Sequence, residues 1–96
     1  MLEQEYVEHL IKTANRIAVT EKEYMTAKRD LEVLKSQHIL HNDWEKLMGK
    51  KKPTVAEKDA YILVQLEEKI KKVDDLKIQR DYCRRMYEIN LLAYKD

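Results

Sequence analysis

Nine basic residues in the second half of the chain have the type and spacing to hold a polyanion. Lys50, Lys51 and Lys52 are consecutive, and Lys69 and Lys72 follow with Lys71 between them. Lys77, Arg80 and Arg84 recur at i, i+3 and i+7, which places them on one face of a helix with Arg85 beside them. Tyr82 and Tyr87 stand close by. Cations that track phosphates, interleaved with rings that accept bases, make up a surface for single-stranded nucleic acid. The same cations alternate with Glu67, Glu68, Asp74, Asp75, Asp81 and Glu88. A solvated helix with internally paired charges has that pattern too. Arg80 carries both readings, as a seam charge that sets register or oligomer state and as an exposed cation that meets an anion.

Catalytic chemistry has fewer supports. His38 and His41 are three apart and could share a metal with an acid such as Glu45, but a pair near a bend fits them as well. Ser36 is the only serine, and no histidine stands in motif relation to it or to Cys83, which falls on an apolar seam. A single glycine, Gly49, excludes a glycine-rich phosphate loop. No catalytic residue, metal site or cofactor is expected, and the chain reads as a binding protein, not an enzyme.

The elements that must position the basic groups are helices. Of 96 residues, one is Gly, one is Pro and none is Phe, so turns and sheet edges have little to be made from, while 39% are charged. Net charge is +1, from −2 over residues 1–48 and +3 over residues 49–96, which puts any anion-binding surface in the second half. One cysteine forbids an internal disulfide and points to a reducing compartment. No apolar run approaches the roughly 20 residues that span a bilayer, and Met1-Leu2-Glu3-Gln4-Glu5 does not open a signal peptide. The expectation is a cytoplasmic protein with no membrane and no small-molecule substrate among its partners.

Apolar residues of the first half step by three and four: Val7, Leu10, Ala14, Ile17, Tyr24, Leu31 and Leu34, with Glu21 and Lys28 at two seam positions. Ile11, Ala18 and Met25 form a second row, and Val33, Leu40, Trp44, Leu47 and Met48 carry the apolar face onward. His41-Asn42-Asp43 is the weak point, where Asn42 with Glu45 could start a new short helix. Gly49 suits a left-handed helix end, and Thr54-Val55-Ala56-Glu57 after Pro53 is a capping box. Leu63, Leu66, Ile70 and Val73 make the next seam, which shifts to Leu76, Cys83, Tyr87, Leu91 and Tyr94. These signals give an all-α, coiled-coil-like, long antiparallel helical hairpin in one domain over 1–96, with a helix at about 2–48, a basic turn at 49–54 and a helix at about 55–94. A kinked arrangement of three or four helices, broken near Thr20 or Asn42, is the alternative.

The last third has a second apolar row, Ile78, Tyr82, Met86 and Ile89. A helix apolar on two faces needs two neighbours, and the hairpin supplies one. The other must be a second copy or a partner, so a homo-oligomer is expected.

Gly49 through Ala60, with Lys52-Pro53-Thr54-Val55-Ala56-Glu57-Lys58-Asp59-Ala60 at its centre, lies between a charged helix and a helix carrying Leu66-Glu67-Glu68-Lys69-Ile70, Val73, Leu76, Arg80 and Met86. Over residues 25–92 this layout resembles the UvsY-like recombination mediators of double-stranded DNA phages. The resemblance implies a homo-oligomer that binds single-stranded DNA and helps a recombinase displace single-strand-binding protein. The family's Lys-x-Arg pair before this loop is replaced here by His41 and Asp43. Asp43 would repel phosphate, so Lys50, Lys51 and Lys52 would have to supply the charge. The competing reading is a protein-interaction hairpin, an inhibitor, scaffold or adaptor, that docks through Ile78, Tyr82, Met86 and Ile89. The secreted Trp-x-Gly hairpins share the length, but Trp44 and Gly49 are five apart and the charge content is too high.

Overall fold

A computed structural model describes residues 3–95, and side chains as far as Ala93. Four helices follow one another: α1 (Glu3–His41), α2 (Trp44–Met48), α3 (Val55–Gln65) and α4 (Glu67–Lys95), with no strand among the described residues. The chain is an all-α antiparallel helical hairpin. Its backbone contacts divide into a terminal unit, Met1–Thr26 with Asp74–Asp96, and a central unit, Ala27–Val73. Expected positions Leu2 and Tyr94 lie outside the described residues and side chains.

Acidic Glu3 and Glu5 in the first turn of α1 match the helix dipole. Thr13 and Thr20 sit mid-helix because their hydroxyls donate back to their own helix, Thr13 to the His9 carbonyl and Thr20 to those of Arg16 and Ile17. The helix is unbroken at Thr20. It ends where Asn42 and Asp43 separate α1 from α2, so the expected helix of 2–48 is divided there. The cap differs from the expected Asn42: the Asp43 carboxylate accepts the Lys46 amide at 3.2 Å. The Asn42 amide meets His38 Nδ1 at 2.9 Å, and the Trp44 indole N–H donates to the Ile39 carbonyl at 3.2 Å, satisfying an acceptor that the end of α1 leaves open.

Gly49 closes α2 with φ 66° and donates its amide to the Glu45 carbonyl. The Thr54 hydroxyl caps α3 by accepting the Glu57 amide and donating to the Glu57 carboxylate, each at 3.2 Å. The other Glu57 oxygen pairs with Lys50 at 3.0 Å. These contacts, chiefly the Lys50 hydrogen bond and charge, hold the Glu57 carboxyl below its ordinary pKa. A second division, absent from the expected helix of 55–94, falls at Leu66. The Leu66 backbone leaves the helical torsions there, with φ −107° and ψ 15°, yet the Leu66 amide still reaches the Ile62 carbonyl and the Ile70 amide the Leu66 carbonyl, each at 2.9 Å.

In the central unit, Leu31, Trp44, Ile62 and Leu66 are buried together, flanked by Leu34, Met48, Tyr61, Ile70 and Val73. Tyr61 meets Trp44 edge-on, with centroids 5.6 Å apart, and the Lys58 ammonium lies 5.8 Å above the indole. Helix α3 therefore packs through Ile62, and the expected Leu63 is exposed. Val33, Leu40 and Leu47 also face solvent.

In the terminal unit, α1 and α4 run antiparallel. The Tyr6 hydroxyl donates to the Asn90 carbonyl, and Glu21 holds Arg84. Tyr6, Tyr24 and Cys83 are the buried side chains among the described residues of this unit. The α1 seam runs one residue ahead of expectation at two places: Tyr6 is buried and Val7 exposed, and Thr13 is half-buried with Ala14 exposed. Glu21 keeps its seam position, whereas Ala27, not Lys28, faces inward. The second row, Ile11, Ala18 and Met25, is exposed throughout.

Candidate functional site

On α4 the inward seam is Leu76, Arg80, Cys83, Tyr87 and Leu91, all buried or half-buried. The outward stripe lies on nearly the opposite face of the helix, about 180° round from the seam at 3.6 residues per turn. Ile78 is 66% exposed, Tyr82 62%, Ile89 48% and Leu92 63%. Met86, expected with them, is half-buried at the edge of the seam, so Leu92 completes the row in its place. Among the described residues of its own unit this stripe has no apolar cover. Between it and α1 lies a groove of about 590 Å³, lined by Arg16, Thr20, Glu23, Ile78, Gln79, Tyr82 and Cys83.

The basic candidates separate by their surroundings. Arg80 lies with its side chain 14% exposed, its guanidinium 4.4 Å above the Tyr24 ring. It donates twice to Asp81, at 3.0 and 3.1 Å, and stands 3.7 Å from Glu21. Arg84 pairs with the other oxygen of Glu21. One carboxylate thus holds two arginines, and the seam position of Arg80 becomes a polar lock on the α1–α4 register. Lys77 and Arg85 are exposed. In the central unit Lys50 pairs with Glu57, while Lys51, Lys52, Lys69 and Lys72 are exposed with no ion-pair partner among the described residues. Lys69 and Lys72 border a shallow hollow with Asp30, Leu34 and Val73.

Three participants were not singled out by sequence reasoning. Tyr6 and Asn90 bond across the terminal unit, and the Asn90 amide also meets His9 Nε2 at 2.9 Å. Glu21 read as a gap in an apolar seam and is the partner of Arg80 and Arg84. A signal was present for two of them: Asn90 falls three residues after Tyr87 on the α4 seam, and Glu21 and Arg80 are the charged interruptions of facing seams.

His38 is engaged by Asn42, and the described residues contain no group of three or more His, Cys, Asp and Glu side chains placed to hold an ion. No helix among the described residues is long and apolar enough to cross a membrane. The chain matches no family model, no curated protein and no solved structure.

Proposed function

We propose that the chain is a helical interaction module that works by assembly, associating with its own copies and docking protein partners through the outward stripe of α4. The exposure of Ile78, Tyr82, Ile89 and Leu92 on one face carries this reading. Exposed single apolar residues are ordinary on any surface, but a row in helical spacing on a two-helix unit is what an interface core requires. The thinness of that unit argues the same way, since two helices alone bury little. The protein has no chemistry to perform in this reading, and its arginines serve the fold: Arg80 and Arg84 are held by Glu21, so an isolated anion would have to displace that carboxylate.

A second reading keeps the nucleic-acid role and moves it to the central unit. Lys51, Lys52, Lys69 and Lys72 are exposed cations without carboxylate partners, and assembly would repeat them and add weak phosphate contacts through avidity. In that form the chain is an accessory of phage recombination or replication that helps load a recombinase on single-stranded DNA.

Two variants separate the readings. Tyr82→Glu with Ile89→Glu should abolish self-association measured by sedimentation velocity, with helix content unchanged by circular dichroism. Lys51→Glu with Lys52→Glu and Lys69→Glu should leave it intact. Retention of a short oligonucleotide by the wild type, weakening steeply with salt and lost in the lysine variant, would establish the second reading. Unaltered self-association in the Tyr82/Ile89 variant would refute the first.

A further inference from the structure

The groove of the terminal unit has ends of opposite charge. Arg16 and Glu23 stand two turns apart on α1, about 10 Å at 1.5 Å per residue. That is too far for them to pair with each other. Both are exposed, and neither has an ion-pair partner among the described residues. Between them lies Thr20, whose hydroxyl is already donated to the Arg16 and Ile17 carbonyls at 3.0 Å each, so the middle of this face asks for no polar partner. Across the groove, Ile78 and Tyr82 supply the apolar wall.

We propose that this groove is one half of a two-fold self-interface, with the axis lying between the copies and crossing the helices at right angles near Thr20. The inference rests on the assembly reading above and names its site and symmetry. A two-fold operation exchanges the ends of the groove, so Arg16 of each copy meets Glu23 of the other. The same operation on α4 exchanges Ile78 with Tyr82, and each packs on the other in the second copy. One helical step further out along that stripe are Asp75 and Arg85, both exposed, equally far from its midpoint and again of opposite charge. The two midpoints lie at one height, because Glu21, next to Thr20, is the carboxylate that reaches Arg80. Both helices thus carry plus and minus at mirrored distances from a common level, with apolar residues between. That pattern is what an isologous contact needs, whereas a different protein would impose no such mirror on this chain.

The test is charge reversal followed by restoration, read as the dissociation constant of self-association in sedimentation equilibrium on the full chain. Arg16→Glu and Glu23→Arg should each weaken association by about tenfold, since each turns two attractive contacts per dimer into like-charge contacts. The double variant should return to within about threefold of wild type. Helix content by circular dichroism should not change, because both side chains are exposed. Loss in the single variants without recovery in the double would overturn the proposed pairing. So would a chain that associates indifferently to all three changes, and association through another face would then stand. A wild-type chain that stays monomeric would overturn this proposal and the assembly reading together.

Discussion

The central and terminal units solve the same problem with different means. The central unit brings α1, α2, α3 and the start of α4 around Trp44, and four side chains become buried in one cluster. The terminal unit has two helices only. It buries two tyrosines and a cysteine, locks its register with Glu21, Arg80 and Arg84, and leaves apolar rows on both helices uncovered. Three or more elements can enclose an apolar centre, whereas two can only share a seam. The turn chemistry around Gly49 and Thr54 therefore does more than reverse the chain, since it creates the additional elements that close the central core.

Removing the centre of that core should have the largest effect. Trp44→Ala deletes a buried ring, its edge contact with Tyr61 and its bond to the Ile39 carbonyl. A loss of about 3–5 kcal/mol in chemical denaturation is expected. A loss below about 1 kcal/mol would mean that the two units do not differ as described.

The terminal unit should respond less, and through its polar lock. Glu21→Ala leaves Arg84 without its partner and Arg80 with Asp81 alone. Glu21 and Arg84 are partly exposed and Arg80 keeps Asp81 and the Tyr24 ring, so the expected loss is about 1 kcal/mol. Arg80→Met keeps an apolar stem on the seam and removes the guanidinium over Tyr24; because Glu21 still holds Arg84, it should cost less than Glu21→Ala. The reverse order would show that the arginine, and not the pairing, sets the register.

The turn comes next. Gly49→Ala adds a Cβ that meets nothing within 4 Å, so its cost is the left-handed backbone alone, about 1 kcal/mol. Thr54→Ala should cost a similar amount by uncapping α3. Both losses should appear in thermal melts.

The smallest effect is the pH dependence from Glu57. Its folded pKa lies below the ordinary carboxylate value because of Lys50 and Thr54. Its contribution is therefore complete above the unfolded pKa and disappears as pH falls through the lowered folded value. Glu57→Gln should flatten that part of an acid titration followed by circular dichroism. An unchanged acid limb would assign the dependence to other groups.

How much of this could be read from the sequence follows from the range of each interaction. Gly49 and Thr54 were legible because their chemistry is confined to four or five residues, and α2 and α3 end and begin there. The outward row Ile78, Tyr82 and Ile89 was legible as excess apolar surface, while Met86 belongs with the seam. Seam assignment failed where apolar residues are adjacent. Tyr6-Val7 and Ile62-Leu63-Val64 allow two registers one residue apart, and tertiary packing chose Tyr6 and Ile62. The break at Leu66 has no Gly or Pro to announce it and keeps its flanking hydrogen bonds, so no local signal existed. Asp43 took the cap expected of Asn42, whose amide is engaged by His38. Glu21 could be recognised only once α4 lay beside it, because its partners are about 60 residues away.

The central claim is that the outward row of α4 is covered by association between chains. The most direct measurement is the solution mass of the wild-type chain by light scattering across a micromolar-to-millimolar dilution series. The account predicts a mass above that of one 11.6 kDa chain that falls toward it on dilution. A mass of one chain at every concentration would contradict it.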